Sequence, residues 1–306
     1  MTPKIVLAAG GFPGIRTPSR TLQVLLTLVL VAGCGGTGVP TAVPELVSPS
    51  ARPSPSESVS PSSTPAISAE SVDIGDDRSL YLVCRGEGSP TVLFEAGDTG
   101  GVQSWDPVSP GIGRVTRACA YDRAGNGRSS AATGCRRLPE LVGDLEALLE
   151  AADVTGPFVL VATSGGGHIA SSFARLHREE IAGIVFLDVP APSSNPKWPP
   201  PELVAELKCD HPYNVERRDY LHVENDAWEN RAEIGDIPIM IMSVDYGDHP
   251  PDPGAIGQVE KQKGWLVMSP QAEQLVVTHT GHAIVWEDPA LVVQEVVKVV
   301  TASRGG

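Results

Sequence analysis

Ser164 stands in the run Ala162-Thr163-Ser164-Gly165-Gly166, after the apolar stretch Phe158-Val159-Leu160-Val161 and before Ile169-Ala170-Ser171-Ser172-Phe173-Ala174. A strand that passes into a helix through one sharp turn lifts the central side chain of that turn clear of the sheet. The turn crowds the positions two before and two after, so both must be small; here they are Ala162 and Gly166. A hydroxyl presented this way is a candidate nucleophile, but serine is a poor one without a base to take its proton. Three histidines come into consideration: His168 on the helix after the serine, and His279 and His282 beyond the last apolar run. Carboxylates that could orient an imidazole follow two other apolar runs, with Asp188 closing 183–187 and Asp245 and Asp248 just after 237–242.

These side chains need a framework to bring them together. Short apolar runs at 80–84, 91–95, 118–122, 158–161, 183–188, 237–242 and 275–277 read as strands. Leu141, Leu145, Leu148 and Leu149 fall at helical spacing and predict a helix over 138–152, and a second amphipathic helix covers 289–301. Continuous β-branched strands alternating with helices imply a parallel sheet covered on both faces. The folded domain is expected to occupy residues 69–306.

The first 68 residues have a different character. Lys4, Arg16 and Arg20 precede an apolar stretch at 21–33 that contains no charge. That stretch is too short for a bilayer-spanning helix, which needs about 20 residues, and it suits the apolar region of a signal peptide. It ends in Val31-Ala32-Gly33-Cys34, which resembles the bacterial lipobox. The resemblance implies cleavage before Cys34, lipid on that cysteine, and export to the outer face of a bacterial membrane. Residues 34–68 are dominated by Pro, Ser, Thr, Ala and Val and read as an extended tether, because frequent proline denies them a helix or a ladder.

Charge and motifs also exclude some functions. The formal net charge is −14, which argues against nucleic acid as a partner, since phosphate recognition needs a basic surface. No cluster of His, Cys and Asp has zinc-ligand spacing, and no Walker or dinucleotide glycine loop is present. Neither a metal nor a cofactor is expected.

With the serine turn placed, the chain resembles the α/β-hydrolase family of serine hydrolases, in a bacterial lipoprotein form. Three further motifs stand in that family's order. Phe94-Glu95-Ala96-Gly97-Asp98 occupies the place of the His-Gly oxyanion loop, with Ala96 where the histidine is usual. Asp122-Arg123-Ala124-Gly125-Asn126-Gly127-Arg128-Ser129 matches the Asp-x-x-Gly-x-Gly-x-Ser turn, and Gly281-His282 followed by Asp288-Pro289 matches the C-terminal Gly-His segment.

The resemblance implies a mostly parallel twisted sheet with helices on both faces and a small cap between the sixth and seventh strands, about 190–236. That cap segment carries Trp198, His211, Arg217, Arg218 and Trp228. The resemblance also supplies roles: Ser164 as nucleophile, His282 as base, and the backbone N–H groups of Asp98 and Gly165 as the oxyanion hole. The resemblance implies Asp188 or, as the alternative, Asp248 as the triad acid, because the family places it after either the sixth or the seventh strand.

Lipid on Cys34 would leave four cysteines, which outside the cytosol invites disulfides. The family's sheet order makes the strands of Cys84 and Cys119 neighbours and so implies that pair. Cys135 with Cys209 would then tie a loop to the cap. The implied activity is cleavage of a small-molecule ester or related acyl bond. Dehalogenases and epoxide hydrolases of this fold carry Asp where Ser164 stands, which disfavours them. A lipoprotein that uses the fold only to bind a ligand or partner is the alternative of a different class.

Overall fold

Phe158, Leu160 and Ala162 pack into one buried apolar layer, whereas Val159 and Val161, alternating with them, pack into a second on the opposite side. This period of two is what a strand buried on both faces requires. The computed structural model describes residues 66–191, 208–220, 222–223, 226–227, 232–247 and 258–305. The proposed leader 1–33, Cys34, the tether up to residue 65, Trp198, Trp228 and Asp248 lie outside the described residues, as does part of the cap.

Eight strands form one sheet: β1 (Ile67–Gly75), β2 (Arg78–Arg85), β3 (Thr91–Glu95), β4 (Ala118–Asp122), β5 (Phe158–Thr163), β6 (Ile181–Leu187), β7 (Ile239–Val244) and β8 (Ala272–Val277). Their spatial order is β1-β2-β4-β3-β5-β6-β7-β8. β2 pairs antiparallel with β1 and β4, and every other pairing is parallel. The helices include α1 (Ser109–Ile112), α2 (Leu138–Ala151), α3 (Gly166–Leu176), α4 (Gln258–Gln262), α5 (Ile284–Glu287) and α6 (Pro289–Ser303). α2 and α3 cover one face with Leu141, Leu145, Leu148, Ile169 and Phe173. α6 covers the other with Val292, Val296, Val299 and Val300. None of the described helices is long and apolar enough to cross a membrane.

This is the α/β-hydrolase fold that the motifs imply. β1 is the one strand the apolar pattern does not reveal. It lies at the sheet edge with only Val72 buried, so it lacks the run of large apolar residues that marks the others. Its signal lies in the turn: Asp76 and Asp77 both have φ of 55°, the left-handed pair that a two-residue hairpin demands.

Two disulfides hold the domain. Cys84 and Cys119 face each other in the β2–β4 register and are buried. Cys135, in the loop before α2, joins Cys209 of the cap segment. The Cys84–Cys119 bridge closes 35 residues of chain, and loop-closure entropy assigns such a bridge about 2–4 kcal/mol. Replacing both residues with alanine is expected to lower the unfolding free energy by about that amount. A urea midpoint unchanged in the double variant would contradict this.

Candidate active site

The β5–α3 junction is built as the serine turn requires. Ser164 has φ of 48°, a left-handed conformation that costs a non-glycine residue about 1–3 kcal/mol and persists only where the surroundings impose it. Here the Ser164 N–H bonds the Leu187 carbonyl at 3.3 Å, and the Ser164 carbonyl accepts from Gly167 N at 3.0 Å. A Cβ at Gly166 would strike the carbonyl oxygens of Glu95 and Ala96, so α3 can start here only with β3 pressed against its first turn. The N–H groups at that helix terminus also favour negative charge beside the serine.

Asp188 follows β6 and is only 2% exposed. His282 lies between β8 and α5, and its Nδ1 is 2.7 Å from Asp188 Oδ2. The carboxylate also accepts from Tyr246 Oη at 2.5 Å and Gln262 Nε2 at 2.8 Å. Burial pushes this carboxyl upward, but the hydrogen bonds from His282, Tyr246 and Gln262 outweigh it and hold Asp188 below its ordinary range. An ionised, fixed acceptor next to Nδ1 selects the imidazole tautomer whose proton sits on that nitrogen.

The other candidates stand elsewhere. His168 is buried, with Nε2 3.1 Å from the Pro190 carbonyl, and it packs near Trp265. His279 is exposed and pairs with Asp288, the N-cap of α6, at 2.8 Å. Asp245 is exposed and accepts from Gly247 N in its own turn.

The loop after β3 rests on buried charge. Arg123, next to the end of β4, donates through Nη1 to Glu95 Oε1 and the Ala96 carbonyl, and through Nη2 to the Gly97 carbonyl at 2.6 Å. Glu216, from the cap segment, accepts from Arg123 Nε at 2.8 Å, Arg123 Nη2 at 2.7 Å and Asn126 Nδ2 at 2.7 Å. It also accepts from the backbone N–H of Thr99 at 2.9 Å. Two residues on, Arg218 bonds the Asp98 carboxylate and, at 3.0 Å, the Gly165 carbonyl.

Burial raises Glu216, but the charge and hydrogen bonds of Arg123, with Arg218 and Asn126, bring it down to about 2. Glu95 is left raised by burial, which Arg123 and Tyr121 only partly offset. Burial works against the charge on Arg123, and the two acids outweigh it to keep the guanidinium protonated.

Ser164, Asp98, Gly165, Asp188 and His282 thus all lie just past the carboxyl ends of β3, β5, β6 and β8, the edge where open parallel sheets place their ligand sites. The sequence alone assigns no role to Glu95, Arg123, Glu216, Arg218, Tyr246 or Gln262. Arg123 was present in the Asp-Arg-Ala-Gly turn motif, and the position of Glu95 inside a strand was a usable signal, because a carboxylate there must find a buried partner.

A family model described as alpha/beta hydrolase fold matches residues 90–207. The uncharacterized protein YqjL of Bacillus subtilis is 36% identical over 104 residues, 34% of this chain and 41% of that protein. The chain spans less than half the length of each of the curated relatives it matches. Among solved structures, epoxide hydrolase VrEH1 from Vigna radiata aligns with a TM-score of 0.60 at 17% identity, over 78% of this chain and 98% of that one. A thermophilic esterase from Thermogutta terrifontis aligns with a TM-score of 0.56 at 18% identity, over 78% and 99%.

Proposed function

Starting from a chain that has the α/β-hydrolase fold, we propose that it is a serine hydrolase that cleaves a small-molecule ester or related acyl bond through an acyl-enzyme on Ser164. The observation that carries this reading is the 2.7 Å Asp188–His282 hydrogen bond, at the same sheet edge as a serine held at φ of 48°. Ser164 Oγ attacks the acyl carbon while its proton passes to Nε2 of His282. Asp188 stabilises the resulting imidazolium, and the N–H groups of Asp98 and Gly165 hold the oxyanion. Collapse expels the alcohol, which takes the proton from Nε2. Water then repeats the sequence to release the acid.

The test is turnover of acyl esters of graded chain length, together with covalent capture by a fluorophosphonate. Folded protein that does neither would mean the fold serves only to bind a ligand or partner.

We also propose that residues 1–33 are removed and that Cys34 carries lipid, anchoring the exported domain to the outer face of a bacterial membrane. The basic leader, the apolar 21–33 stretch and Val31-Ala32-Gly33-Cys34 support this. The mass of the N-terminal peptide from membrane-fraction protein decides it. A diacylglyceryl adduct on Cys34 is expected, and a retained leader or an unmodified Cys34 would refute it.

A further inference from the structure

We infer that Glu216, on the cap arm that follows Cys209, is a positioning residue of the oxyanion hole, so that the arm belongs to the catalytic machinery rather than only covering it. The inference rests on the serine-hydrolase reading above.

In a trans peptide the C=O and the following N–H point to opposite sides. Arg123 Nη2 holds the Gly97 carbonyl at 2.6 Å, so the Asp98 N–H is turned away from Arg123. Neither the Asp98 N–H nor the Gly165 N–H meets an acceptor among the described residues. The preceding amide, Gly97 N, is spent on Thr163 Oγ1 at 2.9 Å, which pins the loop beside the serine turn. Arg123 therefore sets which way the oxyanion donor faces.

Arg123 is itself aimed by Glu216, which takes its Nε on one oxygen and its Nη2 on the other. A planar guanidinium gripped along one edge by a carboxylate cannot rotate without breaking both bonds. Glu216 also bonds the N–H of Thr99. Thr99 has φ of 59°, a conformation that a β-branched side chain resists, and it directly follows the donor residue. The same carboxylate thus holds the loop on both sides of Asp98.

The arm is secured to the body at several points. Cys209 is bonded to Cys135, Arg136 N donates to the Arg217 carbonyl at 2.9 Å, and Asp219 N donates to the Arg136 carbonyl at 2.8 Å. The Asn214 side chain bonds both the N–H and the C=O of Arg218. Arg218 then joins Asp98 to Gly165, the two residues that donate to the oxyanion.

The experiment follows phosphonylation of Ser164 in the full chain by a fluorophosphonate, a reagent whose P=O group takes the oxyanion position. The rate constant reads the site in each folded molecule, while the amplitude reads how many molecules are folded. Glu216→Ala is expected to lower the rate constant by about 100-fold, the cost of displacing a catalytic donor. Glu216→Gln, which retains one acceptor oxygen, should lower it by about 10-fold, with KM for an ester substrate changed by less than about threefold. Arg123→Lys keeps the charge but loses the fork that spans two carbonyls, and should act like Glu216→Ala; it serves where a Glu216 variant does not fold.

Reduced amplitude at the wild-type rate constant would overturn the inference, because it would assign Glu216 a purely structural role. Folded wild type that is never labelled would overturn the hydrolase reading itself, and this inference with it.

Discussion

Ser164→Ala is expected to lower kcat for an acyl ester by a factor on the order of 10⁵, with KM nearly unchanged and fluorophosphonate labelling abolished. The size of the effect comes from removing the only atom that forms the covalent bond, while the oxyanion donors and the substrate surface stay in place. Those remaining parts sustain a residual rate about 10³–10⁴ above water alone. The variant should fold normally, since alanine meets the same backbone constraint at φ of 48° and loses no buried side-chain partner. Neighbouring hydroxyls do not substitute: Ser171 is buried in α3, where its Oγ bonds the His168 carbonyl. Undiminished turnover in Ser164→Ala would end the covalent mechanism proposed here.

Asp188→Asn is expected to lower kcat by about 10³–10⁴, with Asp248→Asn within about threefold of wild type. The carboxylate carries two functions that an amide cannot combine. It accepts Nδ1–H of His282, and it is negative, which in the proposed mechanism stabilises the imidazolium formed during attack. An amide in its place has one acceptor oxygen, and its NH₂ would face either His282 and Tyr246 together, which both meet Oδ2, or Gln262, which meets Oδ1. The result is a mis-set tautomer or an unpaired buried donor.

Stability should also respond to pH in a defined direction. Because the folded-state pKa of Asp188 is lowered, its contribution is present above the ordinary carboxylate range and is lost as the pH falls through the folded value. Kinetics of the two variants decide between the acids: a wild-type rate in Asp188→Asn with a collapse in Asp248→Asn would move the role to the loop after β7.

The features legible in the sequence are those that local constraints force. The serine turn needs small residues at 162 and 166 whatever the rest of the chain does, and Gly166 shows why, because a side chain there would strike the carbonyl oxygens of Glu95 and Ala96. His282 is marked by the Gly281-His282 and Asp288-Pro289 segment that resembles the family's, since its place beyond the last apolar run is shared with His279. Sequence alone does not separate Asp188 from Asp248, since each follows an apolar run that reads as a strand, and only the folded chain shows the His282 imidazole meeting Asp188. Glu216 was less legible still. Its partner Arg123 lies 93 positions away, and a lone glutamate in a charged cap segment looks like surface until the fold buries it to 2% exposure.

The spacing of these contacts along the chain governs when the site exists. Asp188 and His282 are 94 positions apart, and Asp98 and Arg218 are 120 apart. Contacts of such long sequence separation must overcome loop-closure entropy before they return any stabilisation, so they form late. Arg123–Glu216 and Asp188–His282 each need both ends of a long excursion in place. A chain halted before β8 can build most of the sheet and still lack His282. Under the proposed mechanism, recovery of turnover during refolding is therefore expected to trail recovery of helix and strand signals, so that ester hydrolysis would serve as a clock for the last step of assembly.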